Sequence, residues 1–321
     1  MNTIPTIFNE KITPYTVIGG RERIASTGIS AVILNRPGYV RRSFFSEMEK
    51  TGFDNVISIE AGKSIYNIEE LSKRFPFVRY ILPEKEINLG EQINLAASEV
   101  QNPLFFVLRS DMKIITGGTA RRIAERLNIV IDEKNEYKRL CTVPVIMNSN
   151  FVTFPSLSAP VTHRKKVQSV FIEPRNDGDL SLYPFNGIGI YDKQRFIDLG
   201  GYDVSIKKTY WQLLDFGFRS HLWGEEIALD LSLKLSYDSE LPIEEQSIDE
   251  NYRRFCLKNL THVLRGDHAH LPVYRFFPFA HNSGEPLFSV WKEFKECRKW
   301  INNNKDRFKF DARGVTAKWD T

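Results

Sequence analysis

The chain has 321 residues, of which 42% are hydrophobic and 26% are charged, so it can form one large or two moderate globular domains. This composition excludes a wholly disordered chain, a small disulfide scaffold and a coiled-coil rod. The formal net charge of +4 is too small to indicate nucleic-acid binding. Residues 252–321, however, contain 14 Lys and Arg against 7 Asp and Glu. Such a basic segment indicates either an anionic partner, meaning phosphate groups or a membrane surface, or a solvated helix face.

The three cysteines are widely spaced and form no zinc-type cluster with histidines, so we expect neither a disulfide framework nor structural zinc. The first residues lack the charged start and apolar run of a signal peptide. No apolar stretch reaches the ~18 residues needed to span a bilayer. The sequence therefore predicts a cytoplasmic protein.

Strand-like and helix-like segments alternate along the first 111 residues. Short apolar runs predict strands, and apolar positions at a period of 3.6 predict the helices between them. The predicted strands are 28–34, 56–60, 77–82 and 103–108, and the predicted helices are 39–51, 68–75 and 89–100. This alternation favours parallel βαβ units with right-handed crossovers. Ligands of such sheets bind beyond the carboxyl ends of the strands, so the residues directly after each strand are the first candidates for a site.

Beyond residue 111 the pattern becomes less regular. A polar, irregular stretch covers residues 133–182, and long stretches of this kind often shape a binding site. The predicted strands here are 143–147, 167–172 and 183–191, and the predicted helices are 119–127, 193–199, 210–223 and 288–302.

Several nucleotide-binding and hydrolase motifs are absent. Gly62-Lys63-Ser64 resembles the end of a P-loop, but the glycine required five residues earlier is Ile57. No GxGxxG follows the first strand, and no GxSxG is present. What remains is a carboxylate after each of two strands, Glu60 and Asp111. Either could be a turn residue, but such a pair also suits Mg²⁺ or Mn²⁺, with diphosphate oxygens and water completing the shell.

In order and spacing, these segments resemble the GT-A glycosyltransferases, particularly the family 2-like group. The resemblance covers roughly residues 28–225, and its motifs are Ile33-Leu34-Asn35-Arg36-Pro37, Glu60-Ala61-Gly62-Lys63-Ser64, Asn88-Leu89-Gly90 with Asn94, Arg109-Ser110-Asp111, and Gly200-Gly201-Tyr202-Asp203. It implies an α/β fold of GT-A type, a Rossmann-like mixed and mostly parallel sheet flanked by helices. The implied organisation is an N-terminal extension (1–27), a nucleotide-sugar and acceptor-binding domain (28–240) and a basic, partly helical C-terminal extension (241–321).

The resemblance also implies a function, the transfer of a sugar from a nucleotide-diphosphate donor to a hydroxyl of a glycan or lipid-linked acceptor, with inversion. Mn²⁺ or Mg²⁺ would be the cofactor, because the leaving diphosphate develops negative charge. The residues implied in nucleotide-sugar binding are Asn35, Arg36, Glu60, Asn88, Gly90, Asn94, Arg109, Ser110 and Asp111. Asp111 would also hold the metal. His268 and His270 share a face if their segment is extended, so they are either further metal ligands or ordinary surface histidines.

The chain departs from the family pattern at two places. Arg109 replaces the first aspartate of the metal motif, and it could pair with a phosphate or with a neighbouring carboxylate. The helix that usually carries the acidic pair with the catalytic base has Gln212-Leu213 in its place, so the base would be Asp215, Glu225 or Glu226. Asp215 could instead pair with Arg219, one helical turn away. Trp211 on the same helix is either an acceptor platform or a core residue.

Two alternatives to a glycosyltransferase remain. A nucleotidyltransferase shares the layout, but it normally carries a Gly-rich basic loop after the first strand, and this chain does not. A non-catalytic, glycosyltransferase-like binding or scaffold protein is favoured by Arg109 and Leu213, which replace acidic residues of the family.

Overall fold

The computed structural model describes residues 13–20, 27–35, 41–60, 67–115, 120–127, 139–163, 166–237, 245–283 and 286–319. The strands are β1 (Tyr15–Gly19), β2 (Ile29–Leu34), β3 (Asn55–Ile59), β4 (Val78–Pro83), β5 (Leu104–Arg109), β6 (Met112–Ile114), β7 (Arg139–Met147), β8 (Leu157–His163), β9 (Lys166–Ile172), β10 (Gly189–Asp192), β11 (Glu226–Tyr237), β12 (Val263–Arg265) and β13 (His268–His270). The helices are α1 (Arg41–Glu49), α2 (Ile68–Arg74), α3 (Leu89–Glu99), α4 (Ala120–Arg126), α5 (Lys193–Leu199), α6 (Thr209–Leu222), α7 (Glu250–Asn259), α8 (Phe276–Ser283), α9 (Leu287–Asn303) and α10 (Ala312–Thr316).

The core of the fold is a nine-stranded mixed sheet in the order β1-β4-β3-β2-β5-β10-β7-β11-β6. Strands β2, β3, β4 and β5 are parallel neighbours, and β7 and β11 run in the same direction as these four. Three strands, β1, β10 and β6, run the opposite way. The prediction of a mostly parallel α/β sheet flanked by helices is confirmed.

Both faces of the sheet are covered, which explains the continuous apolar runs of its central strands. All six residues of β2 are buried. Val32 and Leu34 point into a core shared with α3 and α6, whereas Ala31 and Ile33 point into a core shared with α1, α2 and α4. The carboxyl ends of the parallel strands therefore lie together at one edge of a sheet that is packed on both faces.

The sheet extends beyond the predicted elements at both ends. β1 lies in the segment predicted to be an N-terminal extension, yet it pairs antiparallel with β4 along its whole length. β11 was not predicted either, and it pairs with β7 near the other edge of the sheet. The predicted strand 183–191 is a short 3-10 turn at Phe185–Gly187 followed by β10.

The C-terminal segment packs against the sheet domain through α6. Helix α7 lies along α6, and the fully buried ammonium group of Lys258 on α7 reaches two carboxylates of the sheet domain. The same ammonium lies 4.8 Å from the ring centre of Trp300 on α9. Among the helices that the structure describes, none is both long and apolar enough to cross a membrane.

Candidate functional site

A buried polar group lies where β2 and β3 end. The side-chain nitrogen of Asn35 donates hydrogen bonds to Glu60 Oε1 (2.9 Å), Ser58 Oγ (2.6 Å) and the carbonyl of Ile59 (2.9 Å). Ser58 Oγ also donates to Glu60 Oε1, at 3.0 Å. Among the residues that the structure describes, Asn35 Oδ1 is buried without a hydrogen-bond partner. Because buried polar atoms in folded proteins are nearly always paired, this oxygen is a candidate for contact with a ligand.

The end of β5 lies beside this group. The backbone N–H of Ser110 donates to the carbonyl of Leu34 at 3.1 Å, so Ser110 and Asp111 follow the strand directly next to Asn35. Arg109 Nε lies 3.3 Å from Asp111 Oδ1. Arg109 was predicted to pair either with a phosphate or with a neighbouring carboxylate. The structure shows the pair with the carboxylate of Asp111.

The N-terminus of α3 forms the third part of the site, after β4. Asn88 caps this helix in a capping box, because its Oδ1 accepts from the N–H of Glu91 (2.9 Å) and Glu91 Oε2 accepts from the N–H of Asn88 (3.1 Å). Asn88 Nδ2 is buried and has no hydrogen-bond partner among the residues that the structure describes. The N–H groups of Asn88, Gly90 and Glu91 are already bound by side chains of the protein, so an anion would be attracted by the helix dipole and by the Asn88 amide nitrogen. This end of α3 therefore suits a negatively charged ligand.

The donor atoms at this edge fit a hard divalent cation only in part. Asp111 supplies one carboxylate, and Asn35 on the adjacent strand supplies an amide oxygen, both of them ligand types that such ions accept. Arg109 competes for the same carboxylate. Within the described ranges, no group of three or more His, Cys, Asp and Glu side chains could hold a metal ion. A cation here would need the oxygens of a bound ligand to complete its shell.

His268 and His270 do not join this group, so their predicted metal role is corrected. They lie on β13, which pairs only with β12 in a separate two-stranded sheet. His268 Nδ1 lies 2.5 Å from Asp306 Oδ1, and both side chains are more than half exposed. Burial, together with Arg265 and Arg298, lowers the pKa of His270. The pair shares a face, as predicted, but that face is not part of the strand-end site.

Two residues predicted to bind the nucleotide sugar instead hold the helices together. Asn94 is buried, and its side-chain amide accepts from the N–H of Tyr202 (2.8 Å) and donates to its carbonyl (2.9 Å). Gly90 is buried against the same turn. A Cβ at position 90 would lie 2.5 Å from Tyr202 Cβ and 2.6 Å from Gln212 Cδ. Both motif residues therefore serve the close approach of α3 to the turn before α6.

Gln212, which stands where the resemblance implied an acidic residue, connects α6 to α3 and to the turn before α6. Its Oε1 accepts from the N–H of Gly90 at 2.9 Å. Its Nε2 lies 3.1 Å from three acceptors, which are Asn88 Oδ1 and the carbonyls of Asp203 and Ile206. Every polar atom of this buried amide is engaged, so Gln212 is not available to a substrate.

Asp215, the first candidate for the base, belongs to a buried ion cluster that we call the α6–α7 cluster: Asp203, Asp215, Arg219, Lys258 and Asn259. Asp215 has 0% exposure and accepts from Arg219 Nη2 (3.0 Å) and Lys258 Nζ (3.0 Å). Its other oxygen accepts from Asn259 Nδ2 at 2.7 Å. An acceptor hydroxyl has no access to this carboxylate. The predicted catalytic role is corrected to the alternative that was kept open, an ion pair with Arg219.

Asp203 in the same cluster is ionised and fully paired. Burial alone would raise the pKa of Asp203, but Lys258 and Arg254 outweigh it and hold the pKa at about 2. For Lys258, desolvation lowers the pKa and the two carboxylates oppose the change. Removal of one partner would leave an uncompensated charge in the interior, so substitutions in this cluster should strongly lower the free energy of unfolding.

Glu225 and Glu226 lie at the wrong edge of the sheet for the predicted role. Glu226 opens β11 and pairs in register with Arg139 at the start of the parallel strand β7. The starts of β7 and β11 lie at the amino edge, opposite the carboxyl edge that carries Asp111. Glu225 is bound there by Arg195 at 2.8 Å, and Glu226 by Arg139 at 3.2 Å.

Trp211 is a core residue, so the prediction of an acceptor platform is corrected. Its indole nitrogen donates to the carbonyl of Ser247 at 3.0 Å, and its ring packs against Tyr252 and Phe255. The residue is 1% exposed. Arg36, predicted to contact the nucleoside, lies outside the described residues, as does the Gly62-Lys63-Ser64 segment.

No protein-family model matches the chain, and no curated protein matches its sequence. Among solved structures, GalNAc-T7 with UDP, GalNAc and Mn²⁺ is similar, with a TM-score of 0.54 and 12% sequence identity. The similarity covers 85% of this chain and 55% of the GalNAc-T7 chain, so this chain spans about half the length of GalNAc-T7. This likeness confirms the GT-A fold.

Two further structures are also similar at low identity. S. aureus TarS has a TM-score of 0.46 at 12% identity, over 89% of this chain and 44% of that one. The mannosyltransferase PcManGT from Pyrobaculum calidifontis, with GDP-Man and Mn²⁺, has a TM-score of 0.44 at 10% identity, over 92% and 74%.

Proposed function

We propose that this protein binds a nucleotide-diphosphate sugar at the carboxyl edge of its sheet and transfers the sugar to a hydroxyl acceptor. The observation that carries the proposal is the strand-end group, in which buried Asn35 and Glu60 lie directly beside Asp111. In open α/β sheets, ligands bind outside the carboxyl ends of the strands. The shared fold with GalNAc-T7, solved with UDP, GalNAc and Mn²⁺, supports a ligand of the same class.

The residues at each strand end would bind a different part of the nucleotide-sugar donor. Glu60 and Asn35 would contact the nucleoside, because their amide and carboxylate can pair with ribose hydroxyls and a base edge. The dipole at the start of α3, the amide nitrogen of Asn88 and the guanidinium of Arg109 would stabilise the charge of the diphosphate. Asp111, together with diphosphate oxygens, would hold Mn²⁺ or Mg²⁺. Such an ion, when bound, stabilises the negative charge on the leaving nucleoside diphosphate.

The acceptor side differs from an ordinary inverting enzyme of this fold. The carboxylate expected on α6 is absent, Gln212 is fully engaged, and Asp215 is enclosed by cations. We therefore propose no base from α6 and leave the stereochemical outcome open to measurement. The second candidate function, nucleotide-sugar binding without transfer, is favoured by the same observation.

The acceptor is proposed to be lipid-linked, with α8 and the start of α9 facing an anionic membrane. Large apolar side chains concentrate there, with Phe277 70% and Phe288 83% exposed. The two helices pack together, since the rings of Phe276 and Trp291 lie 4.8 Å apart. Exposed cations such as Arg275 flank them. Aromatic and basic side chains on one amphipathic element fit the interface of an anionic bilayer.

The direct test is binding of UDP, GDP, ADP and CDP, each with and without Mn²⁺, measured by calorimetry and by thermal shift. We expect one nucleotide to bind, with higher affinity when Mn²⁺ is present. In Asp111→Asn the increase due to Mn²⁺ should disappear while the protein stays folded. Asp198→Asn, an exposed aspartate on α5, is the matched control and should behave like the parent. If no nucleotide binds the parent protein, the proposed function is wrong.

Transfer is then measured with the sugar conjugate of the nucleotide that binds. Release of the nucleoside diphosphate on addition of a hydroxyl acceptor or of water supports an enzyme. Tight binding with no turnover in any acceptor screen supports the binding protein instead.

A further inference from the structure

A second buried amide faces the same edge of the sheet and was not singled out by the sequence. Asn186 lies in the turn before β10 with φ 49° and ψ 28°, in the left-handed region that few residues other than glycine adopt. It is 9% exposed, and its Nδ2 has no hydrogen-bond partner among the described residues. A buried donor without a partner destabilises a folded protein, so its presence calls for an explanation.

The sheet places this turn at the edge that carries Asp111. β10 is antiparallel to β5, with Gly189 opposite Val107, so β10 begins near the end of β5. The 3-10 turn of residues 185–187 directly precedes β10 and therefore lies at the carboxyl edge of the sheet. The turn also touches the first half of α3, because a Cβ at Gly187 would lie 2.6 Å from Ile93 Cδ1. Asn186 thus lies between the end of β5 and the start of α3.

The turn is held firmly, so the position of the amide does not depend on a ligand. The hydroxyl of Tyr191 donates to the carbonyl of Gly187 at 2.7 Å. The hydroxyls of Tyr191 and Tyr202 lie 3.0 Å apart, and both residues are completely buried. Burial strongly raises the pKa of Tyr191, which keeps its hydroxyl neutral. A donor fixed in this way is pre-organised for an acceptor atom of a ligand.

Strand order then identifies which part of the ligand meets Asn186. In the sequence of neighbours β3-β2-β5-β10, the group of Glu60 and Asn35 lies at β3 and β2, and Asp111 lies at β5. A donor molecule with its nucleoside at the first two strands and its diphosphate near β5 extends next to β10. We propose that Asn186 Nδ2 donates a hydrogen bond to an oxygen of the β-phosphate or of the transferred sugar. This inference rests on the proposed function.

The test compares Asn186→Asp and Asn186→Gly with the parent protein. Aspartate keeps the shape but removes both donors, whereas glycine removes the side chain, adds no charge and tolerates the positive φ. The control is Asn302→Asp, the same change at an exposed position of α9. The probes are the monophosphate, the diphosphate and the sugar-diphosphate of whichever nucleoside binds the parent.

We expect both Asn186 variants to weaken the sugar-diphosphate about 10- to 100-fold, the range of a hydrogen bond in a charged site. For Asn186→Gly, the monophosphate should bind as in the parent, and the ligand-free melting temperature should not fall. The buried charge of Asn186→Asp should lower the melting temperature and repel all three anionic probes, so the comparison of probes is made with Asn186→Gly. Weakening of the diphosphate as well assigns the contact to the β-phosphate, and its absence assigns it to the sugar. Equal affinities of parent and variants for all three probes would overturn the inference while leaving the proposed function intact. A parent that binds no nucleotide would reject both.

Discussion

The side-chain oxygen of Gln212 accepts a hydrogen bond from the backbone N–H of Gly90 at 2.9 Å, across 122 positions of the sequence. The contact ties the first turn of α6 to the first turn of α3. Its amide nitrogen lies within reach of three acceptors in the same region. The amide at position 212 must therefore both donate and accept hydrogen bonds.

Gln212→Glu should therefore damage the fold and restore no catalysis. Glutamate keeps the acceptor for Gly90 but cannot donate, so it leaves buried acceptors unpaired and faces them with negative charge. We expect a loss of about 1–3 kcal/mol in the free energy of unfolding, measured by urea denaturation. Gln92→Glu, which removes a single bond from Nε2 to the carbonyl of Ile87, is the control with the smaller expected loss. A stable Gln212→Glu protein with increased turnover would show that the position is catalytic.

Asp215→Asn should act on stability and not on donor binding. The substitution removes a charge that lies 3.0 Å from both Arg219 Nη2 and Lys258 Nζ in the interior. Breaking such a buried arrangement costs about 3–5 kcal/mol. Glu226→Gln, which breaks a partly exposed pair with Arg139, should cost about 1 kcal/mol or less. The two unfolding curves check this, together with the nucleotide affinity of the Asp215→Asn protein that remains folded.

Comparable small losses for Asp215→Asn and Glu226→Gln would contradict this interpretation of the α6–α7 cluster. Loss of turnover in folded Asp215→Asn with normal stability would return the residue to the role of base.

Glu60→Gln should weaken nucleotide binding without any metal. Glu60 Oε1 accepts from Asn35 and Ser58, and this fixes the carboxylate at the end of β3. If the carboxylate contacts the nucleoside, loss of its charge should cost about 1–3 kcal/mol of binding free energy in buffer that contains a chelator. Glu70→Gln, whose partner is the exposed Arg42, is the matched control. Identical metal-free affinities for Glu60→Gln and the parent would place the nucleoside elsewhere.

The strand ends of the site could be predicted from sequence because local patterns determine them. β2 and β5 are continuous apolar runs, and polar residues close them. The burial of both sheet faces makes such runs necessary, so the residues after them, Asn35 and Asp111, were found. β11 was missed although Ile227, Leu229, Leu233 and other apolar residues alternate with polar ones along it, which is the period of a strand. The sequence of β11 therefore carries the alternating pattern that predicts a strand.

The side-chain roles could not be predicted, because distant parts of the chain decide them. Asp215 and Arg219 share a helix face, but Lys258 completes their cluster from 43 positions away. Glu226 follows α6 closely in sequence, yet the direction of β11 carries it to the edge opposite Asp111. A sequence pattern gives the spacing of residues along an element, whereas sheet order and strand direction determine which edge they reach.

The exposed aromatic side chains of α8 and α9 should govern membrane binding. We expect the parent protein to co-sediment with vesicles of phosphatidylcholine and phosphatidylglycerol, and much less with phosphatidylcholine alone or in high salt. The double variant Phe277→Ser/Phe288→Ser should bind these vesicles at least about tenfold more weakly, since a buried Phe contributes about 1.5–3 kcal/mol. Phe151→Ser, exposed to 68% after β7, is the control. Unchanged sedimentation of the double variant would remove the membrane from the proposal.

His221 should make the fold sensitive to mild acid. It is buried at the end of α6, where Nε2 lies 3.0 Å from the carbonyl of Ser181. Burial, with a smaller contribution from Lys318, lowers its pKa from 6.5 to about 4. The folded protein therefore holds the neutral ring, while the unfolded chain takes up a proton below pH 6.5. The resulting stability is complete above pH 6.5 and is lost as the pH falls towards 4, by about 3 kcal/mol in total.

Urea unfolding between pH 7 and pH 4 measures this loss directly. In His221→Gln, the side-chain amide can still donate to Ser181 but does not titrate, so the free energy of unfolding should fall less steeply over the same range. Part of the slope should remain, because burial also lowers the pKa of His262. At pH 7 the variant and the parent should differ much less than at pH 4.5. Parallel curves for the two proteins across the whole range would mean that His221 is protonated equally in the folded and unfolded states.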